Sequence, residues 1–290
     1  MMRKTTTVAF QGEAGAFSEA AAYKLLGPAI KTIPCMTFED MFSLVSQKKV
    51  DRAVVPIENS LVGSIHKNYD LLIEHETPIV NEVYLQIVHN LIGHPQAKLS
   101  QITRVFSHQV ALGQCLQFFK SNPKIKPCTA FDTAGSVKMI LSGNDLSEGA
   151  IASANAAETY GGKILLRSIE DHKENFTRFL LIAHPSSVRK TKHLDSNTKS
   201  KKMQKTSLVY HLKDQPGTLF KSLAVFALRD IDLKKIESRP ILGRPWEYVF
   251  YVDIIGSQGD PLIKKALEHL AEFAESVRIL GSYPVGLTQR

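Results

Sequence analysis

Short apolar runs that end in small polar turns and then open amphipathic stretches dominate residues 1–185. Thr6–Phe10 leads through Gly12 and Gly15 into the amphipathic stretch Glu19–Leu26. Four further runs show the same succession, at Ala53–Glu74, Arg104–Phe119, Thr133–Leu141 and Ala150–Tyr160. Strands that alternate with helices in this way predict an α/β fold.

A hydroxyl residue stands at or near the predicted start of each helix. These residues are Ser18, Ser60, Ser107, Thr133 and Ser153. Ser and Thr cap exposed backbone N–H groups, and helix N-termini also attract anions. Because such helix ends line the ligand crevice of open α/β sheets, we expect a small ligand with carboxylates.

The formal charge of +8 is concentrated in one stretch. Seven basic residues and one acid lie in the range 186–205, which also has no aromatic residue. A nucleic-acid surface needs basic residues on a folded face or interleaved with aromatics. We therefore predict a basic, flexible linker at 186–205 and no nucleic-acid partner.

The remaining part, 206–290, has its own order of elements. We predict strand, helix, strand, strand, helix and strand at Ser207–Leu212, Phe220–Leu228, Leu233–Ser238, Glu247–Ile254, Pro261–Phe273 and Val277–Gly281. This βαββαβ order indicates a ferredoxin-like split βαβ fold, which usually pairs with copies of itself.

Several function classes lack their sequence signals. The apolar stretch Val8–Phe10 is far too short for a signal peptide, and no run approaches the roughly 20 apolar residues of a membrane span. Cys35, Cys115 and Cys128 are an odd number, widely spaced, and indicate neither disulfides nor a zinc site. We expect a cytoplasmic protein without a membrane association.

Motifs for other chemistries are incomplete. Gly12–Ser18 lacks both a Gly-Lys-Ser/Thr ending and a full GxGxxG, so it does not indicate a nucleotide site. Ser107 and His108 are adjacent, and their side chains would diverge on a regular backbone, which disfavours a Ser-His nucleophile. His89 and His94 fit no metal-ligand spacing. We expect no metal and no cofactor.

Polar groups at two strand ends are more informative. Glu58, Asn59 and Ser60 directly follow a buried apolar run, where packing does not require an acid, an amide and a hydroxyl. Thr177 and Arg178 precede the apolar run Phe179–Ala183 in the same way. Arginine supplies forked donors that suit a carboxylate.

These segments carry a resemblance to prephenate dehydratases followed by an ACT domain. The first family's motifs resemble Pro56–Ser60, Ser64–Leu72, Asp132–Ser136 and Thr177–Phe179, in that order, and the ACT motifs resemble Pro216–Leu219 and Glu237–Pro240. Three positions depart from the usual pattern. Glu13 and Ala16 stand where the family usually has Pro and Thr, and Thr218 stands where Ala is frequent.

The resemblance implies a fold for each part. Residues 1–185 would form a two-lobed catalytic domain like a type II periplasmic binding protein. Its first lobe would comprise about 1–82 and 170–185, and its second about 83–169. Residues 206–290 would form the ferredoxin-like ACT regulatory domain.

The resemblance also implies an activity, the conversion of prephenate to phenylpyruvate, carbon dioxide and water in phenylalanine biosynthesis. Thr177 would donate a proton or hydrogen bond to the departing hydroxyl, and Glu58 is a second candidate. Arg178 would clamp a carboxylate. The neutral substrate-binding residues would be Ser18, Asn59, Ser60, Ser107, Thr133 and Phe179.

For the ACT domain, the resemblance implies phenylalanine as an allosteric effector bound at a subunit interface, in a homodimer or homotetramer. The implied effector residues are Gly217, Thr218, Leu219, Glu237, Ser238, Arg239 and Pro240. Two alternatives remain open at this stage. One is arogenate dehydratase, whose substrate has an amine in place of the keto group. The other is a non-catalytic amino-acid sensor, which the Thr177-Arg178 pair disfavours.

Overall fold

The computed structural model describes residues 5–191, 203–241 and 243–286. The chain divides into two units. The first comprises the described residues up to Leu71 together with Val83–Leu181. The second comprises Leu72–Glu82 and the described residues from Ile182 onward. The lobe and domain boundaries inferred from the sequence stay predictions.

The first lobe is built on a sheet with the order β2-β1-β3-β11-β5, in which β4 pairs with β3. Its strands are β1 (Thr6–Gln11), β2 (Ile30–Cys35), β3 (Arg52–Asn59), β4 (Gly63–Ser64), β5 (Ile79–Gln86) and β11 (Phe176–Ala183). Strand β1 is parallel to both β2 and β3. Their carboxyl ends therefore meet at one edge of the sheet, where ligands bind in open α/β folds.

The second lobe is built on a sheet with the order β10-β6-β9-β7-β8. Its strands are β6 (Asn90–Gly93), β7 (Arg104–Ser107), β8 (Lys126–Thr129), β9 (Glu148–Ala152) and β10 (Lys163–Leu166). Strand β7 is parallel to β8 and β9, and β6 is antiparallel to β9 and β10. The predicted two-lobed α/β architecture is confirmed.

Helices connect the strands of both sheets and continue beyond β11. They are α1 (Phe17–Leu26), α2 (Phe38–Ser46), α3 (His66–Glu74), α4 (Gln109–Gly113), α5 (Leu116–Ser121), α6 (Thr133–Gly143), α7 (Ala154–Tyr160) and α8 (Pro185–Thr191). A 3₁₀ turn lies at Leu99–Gln101. The single helix expected after β7 is therefore two short helices, α4 and α5.

Most of the predicted hydroxyl caps are not caps. Ser153 does cap α7, because its side chain accepts from the backbone N–H of Ala156. Asp132 rather than Thr133 caps α6, and His108 rather than Ser107 caps α4. Helix α1 begins after Ala16 without any side-chain cap, so its first N–H groups remain available to a ligand.

The turn before α1 is fixed against the second lobe. Gly15 has φ +83°, and a Cβ placed on it would lie 2.6 Å from Cα of Ala156. Ser153 Oγ donates to the Gly15 carbonyl oxygen at 2.7 Å. Only glycine fits this close approach, which places the start of α1 beside the second lobe.

The second unit contains the predicted βαββαβ order. Its elements are β12 (Gln204–Leu212), α9 (Thr218–Ala227), β13 (Leu233–Ile241), β14 (Arg244–Ile255), α10 (Pro261–Phe273) and β15 (Ala274–Pro284). The antiparallel sheet has the order β13-β14-β12-β15. One face packs on the two helices around Leu208, Tyr210, Val252 and Leu270. The ferredoxin-like prediction is confirmed.

The predicted linker needs a correction at both ends. Pro185–Thr191 forms a helix, and β12 already begins at Gln204. Lys205, counted above among the solvated basic residues, is 2% exposed. Its Nζ lies 2.7 Å from Oε1 of Glu82, a residue of the same unit. A local charge count misses this because the partner carboxylate is 123 positions away. The rest of the predicted linker, 192–202, lies outside the described residues.

Candidate active site

A cleft of about 470 Å³ lies in the first unit. One wall is formed by the start of α1, the end of β3 and strand β11. The other wall is formed by the starts of α4 and α6. The cleft has the size and concave shape of a small-molecule site.

Five sequence-predicted residues line this cleft: Ser18, Asn59, Thr133, Thr177 and Phe179. They come from α1, β3, α6 and β11, so the fold brings together positions up to 161 residues apart. Thr177 and Phe179 are two positions apart on β11 and thus share one face of the strand.

Arg178 does not line the cleft. Successive side chains of a strand point to opposite faces, so Arg178 points away from the face that carries Thr177 and Phe179. It is 5% exposed. The expected role of Arg178 as a direct carboxylate clamp stays a prediction.

Glu58, Ser60 and Ser107 also lie outside the residues that line the cleft. Glu58 is half-buried and pairs across β3 and β4 with Ser64. Ser60 Oγ accepts from the Phe176 N–H at 2.9 Å. Ser107 is fully buried, and its Oγ donates to the Ile151 carbonyl oxygen at 2.6 Å. Ser60 and Ser107 therefore hold backbone segments together rather than facing a ligand.

Asn59 orients the hydroxyl of Thr177. The backbone N–H groups of Leu61 and Val62 donate to Asn59 Oδ1 at 3.0 and 3.1 Å. The opposite end of the amide, Nδ2, must therefore be the donor, and it lies 2.9 Å from Thr177 Oγ1 and 2.8 Å from Asn175 Oδ1. Because the Thr177 oxygen accepts this bond, the hydroxyl proton is left for a bond to another acceptor.

Gln114 and His89 are among the polar residues of the cleft that sequence analysis did not assign to the site. Gln114 Oε1 accepts from Asn175 Nδ2 at 3.0 Å and lies 2.8 Å from His89 Nε2. This leaves the Gln114 Nε2 group available to donate into the cleft. Neither residue belongs to a short motif, so no local pattern in the sequence points to them.

Two helix starts face the cleft, one from each lobe. The start of α1 contributes Ala16, Phe17 and Ser18 to the lining of the cleft, and the start of α6 contributes Asp132 and Thr133. Unpaired N–H groups and helix dipoles at such positions favour anions. A ligand with two carboxylates could thus contact one helix start with each.

Asp132 is the one carboxylate among the described residues that line the cleft. Its Oδ1 accepts from the Gly135 N–H at 2.5 Å as the cap of α6. Burial raises the pKa of this carboxyl, while the bond from Gly135 opposes that shift. His108, another titratable residue of the cleft, uses Nδ1 to accept from the Val110 N–H at 3.2 Å.

The predicted effector residues lie in the second unit. Gly217 adopts φ +78° directly before α9, and Thr218 Oγ1 donates to the Gln215 carbonyl oxygen at 2.6 Å. On β13, Glu237 pairs with Lys235 at 3.1 Å, and the alternation leaves Ser238 exposed. The other predicted residues of this group, Leu219, Arg239 and Pro240, belong to the same two elements.

One group of described residues has the composition of a metal site. His211, Glu247 and Glu275 lie close together on β12, β14 and β15. Glu275 lies 3.1 Å from Nδ1 of His211, whereas Glu247 lies 3.2 Å from Nε2. Because each carboxylate faces a different ring nitrogen, this geometry suits a doubly hydrogen-bonded imidazole rather than shared coordination of one ion.

The helices formed by the described residues lack the length and apolar character that a membrane span requires.

Comparison with known families accounts for both units. The family model for prephenate dehydratase matches residues 8–187, and the model for the ACT domain matches residues 206–272. The first match alone covers more than half of the chain.

The chain belongs to the prephenate dehydratase family.

Curated plant relatives resemble it over nearly its whole length. Arogenate dehydratase/prephenate dehydratase 1, chloroplastic, of Arabidopsis thaliana is 44% identical over 97% of this chain and 73% of its own length. Arogenate dehydratase 2 of Petunia hybrida is 43% identical over 96% of this chain and 71% of its own length. These matches place the chain among dehydratases, which are lyases.

Solved structures share the whole architecture. Prephenate dehydratase of Arthrobacter aurescens in complex with L-Phe is 31% identical, with a TM-score of 0.84 over 97% of this chain and 90% of that one. A protein described as a novel type of quorum quenching acylase, GqqA, is also 31% identical, with a TM-score of 0.85 over 96% and 98%.

This prephenate dehydratase family member uses Glu13, a departure from the usual motif, to join its lobes. Lys138 Nζ of α6 lies 3.1 Å from Glu13 Oε2, and the Tyr160 hydroxyl lies 3.4 Å from the same oxygen. Burial, followed by the charge of Glu13, raises the pKa of Tyr160 to about 12. Tyr160 therefore stays a hydrogen-bond donor to Glu13 at neutral pH.

Proposed function

We propose that this chain converts prephenate to phenylpyruvate, carbon dioxide and water in the cleft of the first unit. The observation that carries the proposal is the Thr177 hydroxyl. Its oxygen accepts from Asn59 at 2.9 Å, which leaves its proton to be donated to another acceptor. The family match gives the reaction class, and the Thr177 hydroxyl is the group that would donate a proton to the departing hydroxyl.

The reaction breaks two bonds and makes the ring aromatic. The C–O bond to the ring hydroxyl breaks with protonation of the leaving oxygen, which departs as water. The bond to the ring carboxylate also breaks, and its electron pair enters the ring as carbon dioxide leaves. One proton is consumed and no electrons leave the substrate, so the chemistry balances without an oxidant.

Thr177 is the proposed partner of the leaving hydroxyl. A positioned proton donor is typically worth about 10²–10⁴-fold in rate. Glu58, the second candidate, lies outside the residues lining the cleft, so its placement supports Thr177. Because a threonine hydroxyl is a weak acid, its proton must be replaced from solvent as the C–O bond breaks.

Neutral groups hold the substrate carboxylates in this proposal. The starts of α1 and α6 supply backbone N–H groups, and Ser18, Thr133 and Gln114 supply side-chain donors. Among the described residues, no Lys or Arg lines the cleft. Strong positive charge would stabilise the ring carboxylate that has to leave, which would slow the step. Arg178 then supports β11 from its opposite face.

Arogenate is the second candidate substrate, because the plant relatives carry names that include arogenate dehydratase. Arogenate differs from prephenate in having an amine in place of the side-chain keto group. Asp132 is a carboxylate that this amine could approach. We retain prephenate as the main proposal.

We also propose that L-phenylalanine inhibits the enzyme by binding the ACT domain at an interface between two subunits of a homodimer or homotetramer. The Arthrobacter aurescens relative was solved with L-Phe. A ligand that spans two subunits couples its binding to their relative geometry. The proposal includes the cytoplasmic location expected from the sequence, whereas the named Arabidopsis relative is chloroplastic.

Product release by the purified chain tests these proposals. Prephenate and arogenate are supplied separately, each with and without L-phenylalanine, and phenylpyruvate and phenylalanine are measured. Turnover of prephenate that L-phenylalanine suppresses is the expected result. Preference for arogenate would change the substrate, and turnover that ignores L-phenylalanine would remove the regulatory proposal. The absence of turnover with either substrate would contradict the proposed function.

A further inference from the structure

We propose that His89 is a positioning residue for the dehydration, which acts through Gln114 on the neutral donors of the cleft. The inference rests on the proposed function. It concerns a residue whose spacing in the sequence fits no metal site and which the sequence analysis gave no role. The structure places it at the end of a continuous chain of hydrogen bonds that begins at the backbone.

The direction of every bond in this chain is determined. The backbone N–H groups of Leu61 and Val62 can only donate, so Asn59 must present its oxygen to them. Its Nδ2 therefore donates to Asn175 Oδ1 at 2.8 Å. Asn175 in turn presents Nδ2 to Gln114, whose Oε1 accepts at 3.0 Å. Each amide thus fixes the orientation of the next.

The last bond of the chain fixes the state of His89. Its Nε2 lies 2.8 Å from Gln114 Oε1, and an amide oxygen only accepts. The proton of the neutral ring must therefore be on Nε2. The other nitrogen, Nδ1, is buried and has no hydrogen-bond partner among the described residues.

The surroundings of His89 hold its ring in place. The residue is 2% exposed, and its backbone N–H donates to Glu170 Oε2 at 2.8 Å. Its ring meets the ring of Phe17 edge to face, with centroids 5.8 Å apart. Burial lowers the pKa of His89, although Gln114 and Glu170 oppose this shift, so the neutral ring is favoured at neutral pH.

The bond from His89 has a consequence at the substrate. With Oε1 of Gln114 held by both His89 and Asn175, its Nε2 group remains directed into the cleft. Without His89, one of these two bonds is lost and the Gln114 amide is less firmly held. A flipped Gln114 would turn an oxygen toward the carboxylates of the substrate. It would also place its Nε2 against the Asn175 Nδ2 donor.

Kinetics of two variants separate positioning from packing. His89→Leu removes the donor, whereas His89→Gln retains an amide that can donate to Gln114. We expect His89→Leu to lower kcat for prephenate by about 10- to 100-fold, as misplacement of a binding group does. We expect His89→Gln to restore most of that loss. His94→Leu, in the same lobe, is the matched control and should retain wild-type kcat.

A folded His89→Leu variant with wild-type kcat would overturn the proposal. Because that variant could fail to fold, ¹⁵N NMR of the imidazole nitrogens in the wild-type protein is a second test. We expect a neutral ring with its proton on Nε2 at pH 7. A proton on Nδ1, or a doubly protonated ring, would also overturn it. This readout does not depend on turnover, so it distinguishes failure of this inference from failure of the proposed function.

Discussion

Buried polar groups are stabilised in different ways in the cleft of the first unit and in the sheet of the second unit. The second unit buries charges in pairs, with Lys205 and Glu82 in contact at 2.7 Å and both side chains at most 3% exposed. The cleft instead presents amides, hydroxyls and a neutral histidine, as in Asn59, Thr177 and His89, beside the carboxylate of Asp132. Both solutions satisfy buried polar groups, but they give different chemical environments.

The difference follows from what each region has to do. A buried ion pair fixes two segments, but removal of one partner leaves an uncompensated charge. A substrate that must lose a carboxylate needs a site that holds it without stabilising that carboxylate too strongly. Neutral donors meet this need, and the chain of hydrogen bonds from Leu61 to His89 keeps them oriented.

The largest effect is expected from the buried pair of the second unit. Lys205→Met breaks this buried ion pair, and breaking such a pair costs about 3–5 kcal/mol of folding free energy. Denaturant unfolding of the second unit measures this loss. The double variant Lys205→Met/Glu82→Leu is the matched control and should recover much of it. Equal unfolding free energies for the wild type and Lys205→Met would contradict the role of the pair.

A charge introduced into the cleft tests the other half of the comparison. Gln114→Glu has nearly the same shape, but it replaces the Nε2 donor with an oxygen and adds a negative charge beside an anionic substrate. A hydrogen bond to a charged group is worth about 1.5–3 kcal/mol, so kcat/KM should fall by about 10- to 100-fold. Gln96→Glu, an exposed site in the same lobe, provides the control. A similar fall in both variants would show that net charge, not the cleft, is responsible.

The carboxylate of the cleft gives a smaller effect. Asp132→Ala removes the cap of α6 and should cost about 0.5–2 kcal/mol, whereas Asp132→Asn retains a capping oxygen. Because burial raises the pKa of Asp132 above its ordinary 3.8, ionising it costs more in the folded protein than in the unfolded chain. Its contribution to stability therefore falls as pH rises from 3.8 through the raised value.

Thermal unfolding of these variants between pH 3 and pH 7 measures that dependence. Asp132→Asn should lose the component that titrates while keeping the cap. If Asp132→Asn and the wild type showed the same dependence of thermal stability on pH, other carboxylates would be responsible for it.

Local pattern was enough to predict the fold class of both parts and five residues of the cleft. The alternation of strands and helices predicted the α/β lobes, and the βαββαβ order predicted the second unit. Polar residues at the end of one apolar run and at the start of another identified Asn59 and Thr177. These features depend on residues that are close together in the sequence, so they can be recognised without the structure.

Features that depend on distant partners were not predictable in the same way. Lys205 was read as solvated because Glu82 is far away in sequence. Arg178 was assigned to the substrate, although alternation along β11 turns it from the Thr177 face. Gln114 and His89 follow no motif, and their role depends on the orientation of Asn175 and Asn59. In each case the missing information is which side chains the fold brings together.

Steady-state phenylpyruvate formation by Thr177→Val and Thr177→Ser most directly tests the central claim, that the Thr177 hydroxyl acts on the leaving hydroxyl. Valine retains the branched shape but has no proton to donate, so kcat should fall by about 10²–10⁴-fold with little change in KM. Serine retains a hydroxyl that Asn59 can orient and should keep much of the activity. A folded Thr177→Val variant that turns over prephenate at the wild-type rate would contradict the account.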